Sequence, residues 1–140
     1  MSRITGLSSI TGLSSFRNLG LSDVTPDAVN WADVIDPYTQ ATTSMQQFNG
    51  INETITLSIS WTGSGGAFYY SKNTTNTYNA GTQVSLTSSP TSITVSSGDY
   101  LGFRLQVVSG GSPSRSVTVT NTSDNNTVLD TFTLQTLNSP

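Results

Sequence analysis

Residues 54–61 constrain this chain most: Ile55, Leu57, Ile59 and Trp61 alternate strictly with Thr54, Thr56, Ser58 and Ser60. Side chains two apart share a face of a strand, so the run predicts a strand with one buried and one solvated face. Gly63-Ser64-Gly65-Gly66 lead into a second run at 67–71, and the pair reads as a hairpin closed by a glycine-rich link. After Gly98-Asp99, Leu101, Phe103, Leu105 and Val107 alternate again. Further short runs at 29–35, 44–48, 83–86, 92–95, 100–108, 116–120 and 128–134 are divided by turn residues. The last two are joined by Ser123-Asp124-Asn125-Asn126, where Asp and Asn tolerate left-handed backbone. Short strands at this spacing, with no amphipathic helix between them, predict an all-β fold, an antiparallel sandwich.

Composition agrees. Only 9% of the 140 residues are charged, while Ser, Thr, Asn and Gly are abundant, so the surface is polar mainly through hydroxyls and amides. The length suits one domain with a short arm. Five cations scattered as Arg3, Arg17, Lys72, Arg104 and Arg115, in a chain of net charge −3, form no basic patch, which argues against nucleic acid as a partner. With no Cys there is no disulfide framework and no thiolate ligand or nucleophile. No continuous apolar stretch follows Met1-Ser2-Arg3 and none approaches the length of a membrane span, so the sequence predicts no secretory signal, no membrane partner and synthesis in a cytoplasm.

The first residues follow a different rule. Ile4-Thr5-Gly6-Leu7-Ser8-Ser9 is repeated at once as Ile10-Thr11-Gly12-Leu13-Ser14-Ser15 and runs on into Phe16-Arg17-Asn18-Leu19. The apolar residues Ile4, Leu7, Ile10, Leu13, Phe16 and Leu19 recur every third position, and Gly6 and Gly12 each oppose a helix by about 1 kcal/mol relative to Ala. An extended N-terminal arm over 1–22, preceding a domain over 23–140, is the reading adopted. Such an arm cannot bury its own apolar row and orders when that row lies in a groove on a neighbour, which makes these six residues the candidate protein interface. A disordered leader and a first strand of the domain's own sheet are the alternatives.

Catalysis is poorly supplied. Without His or Cys, a Ser-His-Asp arrangement cannot form, and paired carboxylates are the remaining route. Asp23, Asp27, Asp33, Asp36, Glu53, Asp99, Asp124 and Asp130 mostly stand beside Gly, Pro, Asn or Ser, where Asp caps turns. Asp23, Asp27 and Asp33 lie near one another but match no calcium-loop spacing. No catalytic set, no cofactor and no metal site is therefore expected. The aromatics Trp31, Trp61, Phe68, Tyr69, Tyr70, Tyr78 and Tyr100 raise a sugar-stacking platform as an alternative function. Trp61 falls in register with the buried row of its strand, whereas Phe68, Tyr69 and Tyr70 are consecutive and must split between faces. Tyr69 and Tyr70 are the candidates for exposed aromatic contacts.

Thr25-Pro26-Asp27-Ala28-Val29-Asn30-Trp31-Ala32-Asp33-Val34, followed by Asn49-Gly50-Ile51-Asn52, Gly98-Asp99-Tyr100 and Leu129-Asp130-Thr131-Phe132-Thr133-Leu134, resembles an immunoglobulin-like domain family. That family recurs in bacterial surface proteins, often as tandem repeats, and in virion proteins of tailed bacteriophages. The resemblance spans about residues 25 to 135 and implies an Ig-like β-sandwich. A single copy with its own N-terminal arm looks like a phage head decoration or cement protein, present in many copies or as a homo-oligomer and partnered by the major capsid protein or another virion protein. A tail, neck or fibre-associated component, and a glycan-binding adhesin, are the alternatives that the same features allow.

Overall fold

A computed structural model describes residues 22–37, 39–108 and 111–137 of the chain; the arm residues Ile4, Leu7, Ile10, Leu13, Phe16 and Leu19 lie outside them. The fold is an all-β sandwich of two sheets. Its strands are β1 (Val34–Pro37), β2 (Gln40–Thr42), β3 (Gln46–Gln47), β4 (Ile55–Thr62), β5 (Ala67–Asn73), β6 (Val84–Ser85), β7 (Thr91–Val95), β8 (Tyr100–Gln106), β9 (Ser114–Asn121) and β10 (Thr127–Leu137). One sheet runs β1-β10-β9-β4-β7; the other runs β2-β8-β5-β6, with β3 also paired to β8.

The alternating runs form strands because each supplies one apolar face to the space between the sheets. Ile55, Leu57 and Ile59 of β4 are fully buried, as are Leu101, Phe103 and Leu105 of β8 and Val117 and Val119 of β9. Burying such rows is the main favourable contribution to folding, about 25 cal/mol per Å² of apolar surface. At the centre, Trp31 packs against Phe48, Phe103 and Phe132 with ring centroids 6.1, 5.4 and 5.7 Å apart. Its indole N–H donates to the Leu101 carbonyl at 2.8 Å, so this large ring is buried with its one polar atom satisfied.

Two expectations are corrected. The strand expected at 29–35 begins only at Val34. Upstream, side chains replace a ladder: Asn30 N–H donates to Gln46 Oε1 at 3.0 Å and Trp31 N–H to Asp130 Oδ2 at 2.6 Å, while the Val24 carbonyl accepts from Asn121 Nδ2 at 2.8 Å. Backbone groups satisfied in this way need no neighbouring strand. The sandwich is also not wholly antiparallel, since β1 pairs in parallel with β10, Val34 opposite Leu134 and Pro37 opposite Leu137. The chain reaches that edge by running the length of the domain first, which fixes its direction.

The topology defines two ends. Segment 22–27, the turn before β4, the turn before β8 and the β9–β10 turn form the first, where the described chain begins. There Asn52 N–H donates to the Asp23 carbonyl, Asp27 N–H to the Asn49 carbonyl and Thr25 Oγ1 to Asp124 Oδ2, and Ser22 Oγ donates to Glu53. The opposite end holds the β4–β5 turn, the start of β9 and the end of β10.

Candidate functional site

Four of the acidic residues hold backbone N–H groups. Asp33 Oδ1 accepts from Thr133 N–H at 2.8 Å, Asp99 Oδ2 from Ser96 N–H at 2.8 Å and Asp23 Oδ1 from Thr25 N–H at 3.1 Å. Asp33 and Asp130 thus fasten the Trp31 segment to β10, whereas Asp99 caps a turn. Among the described residues no three acids gather closely enough to hold a metal ion.

Strand parity separates the consecutive aromatics. Phe68 is buried in the core opposite Leu105, and Tyr70, opposite Phe103, is half-buried and packs against that core. Burial raises the Tyr70 hydroxyl pKa. Tyr69 alone of the three lies on the outer face, so Tyr69 and Tyr70 do not form one exposed surface. The β5–β8 and β5–β6 registers place Tyr69 between Arg104 and Ser85. Tyr78, from the loop after β5, covers this row: the Arg104 guanidinium carbon stands 4.1 Å from its ring centroid, and Arg104 Nε donates to Thr42 Oγ1 at 2.9 Å. Burial pushes the Tyr78 hydroxyl up to about 12; the nearby Arg104 charge opposes that shift and Tyr69 adds to it. Tyr78 Oη donates to Gln83 at 2.9 Å.

The second feature is a cavity of about 310 Å³ at the end opposite residue 22, open between the sheets and lined by Trp61, Phe68, Leu86, Ser85, Thr87 and Arg115. Trp61 is only half-buried and meets Phe68 edge to face at 5.3 Å. Arg115 belongs to the inward row of β9, with Val117 and Val119, and is 8% exposed. Its Nη1 donates to the carbonyls of Gly65 and Ser114, each at 2.9 Å, and its guanidinium carbon stands 5.7 Å from the Phe68 ring centroid. Burial lowers its pKa from the ordinary value.

Arg104 and Arg115 enter the sequence reading only as scattered cations, and Tyr78 only as one aromatic among seven. For Arg115 the signal is present: extending the Val117, Val119 alternation back by two positions puts an arginine on the buried face. For Tyr78 and Arg104 none is, because their meeting depends on how a loop folds back over a sheet.

Charge is divided between domain and arm. Residues 1–21 contain Arg3 and Arg17 and no acid, whereas Lys72, Arg104 and Arg115 are the only cations set against the eight acids of residues 22–140.

No family model matches this chain. No curated protein matches it either. The solved structure described as "Structure of the N-terminal domain of PorA" aligns with 77% of this chain and 87% of its own, at 15% identity and a TM-score of 0.38, a likeness too slight to bear on function. Of the segments that carry the immunoglobulin-like resemblance, the first meets the last where Trp31 contacts Asp130 and Phe132, and meets the Gly50 turn where Asp27 N–H donates to the Asn49 carbonyl.

Proposed function

We propose that this protein is a non-enzymatic structural module of a virion, a capsid decoration or cement protein, whose sandwich sits on the shell and whose residues 1–22 tie it to a neighbouring subunit. The observation that carries this reading is the tandem Ile-Thr-Gly-Leu-Ser-Ser repeat of residues 4–15, whose period differs from that of the strands downstream. Among the described residues, both sheets and the aromatic core are assembled from residues 29–137. The row Ile4, Leu7, Ile10, Leu13, Phe16 and Leu19 recurs every third position, a spacing that suits neither the strand period of two nor a helix opposed by Gly6 and Gly12. A partner surface is the natural destination for such a row. The arm is cationic while the domain it leaves is acidic, so an acidic groove, including one on another copy of this chain, attracts it.

Cryo-electron microscopy of the purified particle containing the protein tests the reading. Density for the sandwich on the shell exterior, with residues 4–19 running along an adjacent subunit, is the expected result. Density at the tail or neck would reassign the role, and absence from every particle would overturn it. A second reading, glycan binding by an adhesin, is favoured by the Tyr69, Tyr78 and Arg104 surface; it predicts a glycan-array signal lost in Tyr69→Ala.

A further inference from the structure

Arg115 presents an unresolved account. A guanidinium carries five N–H donors and stays charged, so removing it from water is costly unless its donors and its charge are met. Nη1 is met by the Gly65 and Ser114 carbonyls, and that half of the group clasps the β4–β5 turn. Nε is shut off from water with no hydrogen-bond partner, and Nη2 has none among the described residues. Among the described residues no carboxylate bonds to Arg115; Asp23, Asp27, Glu53, Asp99 and Asp124 belong to the far end of the sandwich, and Asp36, at the near end, stands on β1, two strands away from β9. With Nη1 occupied and Nε enclosed, Nη2 is the donor left to a group entering the cavity, and a charge-assisted bond from a guanidinium to a carboxylate is among the strong ones. Trp61 and Phe68 form an apolar aromatic wall to the same cavity, and its volume of about 310 Å³ admits a small organic group.

We infer that the cavity between β4, β5, β6 and β9 binds a carboxylate attached to a flat apolar group, with Arg115 Nη2 taking the carboxylate and Trp61 and Phe68 taking the apolar part. The same chemistry comes from a free organic acid or from the terminal carboxylate of a peptide whose last side chain is aromatic. Residues 1–21 of a second copy, which contain no acid, do not supply it from their side chains.

The test uses the full-length protein and phenylacetate, followed by the Trp61 indole and Arg115 Nε–H resonances and by tryptophan fluorescence. Trp31, the only other tryptophan, is enclosed in the core and serves as an internal reference. Saturable shifts at Trp61 and Arg115, with phenylacetamide binding at least about tenfold more weakly, are expected, because the charged partner is what the site lacks. Arg115→Met removes the response, and Arg115→Lys, which keeps the charge and loses the fork, weakens it. A peptide ending in free phenylalanine that binds more tightly than phenylacetate, and fails when amidated, assigns the source as a protein terminus; binding of phenylacetate alone assigns it as a free acid. No shift at Trp61, or equal binding of acid and amide, overturns the inference, and the amide comparison holds even if a variant does not fold.

Discussion

The two tryptophans show how differently the halves of this sandwich are finished. Trp31 is 1% exposed, touches three phenylalanines and has its indole N–H bonded to the Leu101 carbonyl, while its own backbone N–H is held by Asp130. Trp61 is only half-buried at the rim of a cavity and shares that cavity with a buried arginine whose Nε has no hydrogen-bond partner. Around Trp31, side-chain carboxylates and amides close the Asn30 and Trp31 N–H groups and the Val24 carbonyl, which lack a strand partner. Around Trp61, apolar surface and a cation are left for something else to cover. The contrast is between the core around Trp31, which maintains the domain, and the cavity rim at Trp61, which is open to contact.

Substitutions at the two ends break or sharpen this comparison. Trp31→Ala is expected to cost about 3–5 kcal/mol in chemical denaturation, as for other large core aromatics, whereas Trp61→Ala should cost no more than about half of that. Equal costs would dissolve the distinction. Gly63→Ala should cost about 2–3 kcal/mol, because Gly63 has φ +107 and an added Cβ would meet the Ser114 carbonyl oxygen. This identifies the β4–β5 turn, which Arg115 clasps, as the rigid element of the open end. Arg115→Met, by contrast, should leave unfolding stability within about 1 kcal/mol of the original, since a buried cation without a counter-ion contributes little to folding. A loss of several kcal/mol would make Arg115 a structural latch.

The smallest effect concerns the Tyr78 surface. Its folded pKa of about 12 lies above the ordinary value of 10.0, so the fold favours the neutral phenol. That contribution is complete below pH 10 and is lost as pH rises through the window from 10 to 12. Stability measured across that window should fall more steeply for the original protein than for Tyr78→Phe.

The same contrast explains what could be read from the sequence. β4 and β8 were legible because Ile55, Leu57, Ile59 and Leu101, Phe103, Leu105 obey a period that packing enforces. β2 was not, because Gln40, Ala41 and Thr42 make a strand only through pairing with Arg104, Leu105 and Gln106. Residues 29–33 look like a strand because Val29 and Trp31 are both buried, but their backbone is met by Asp130 and Gln46, a substitution that no local pattern announces. The parallel β1–β10 pairing joins residues a hundred positions apart and carries no local signature. At the candidate sites, parity separates Tyr69 from Tyr70 and turns Arg115 inward, while the stacking of Arg104 on Tyr78 depends on the path of the 74–83 loop.

The central claim is that the sandwich is self-sufficient and that the first residues serve contact. Denaturant unfolding of the full chain beside residues 22–140, with sedimentation of both, tests it most directly. The account predicts midpoints and slopes that give the same stability within about 0.5 kcal/mol, together with loss of association in the shorter chain. A drop of several kcal/mol on removing residues 1–21 would contradict it, because the apolar row would then belong to the domain's own core.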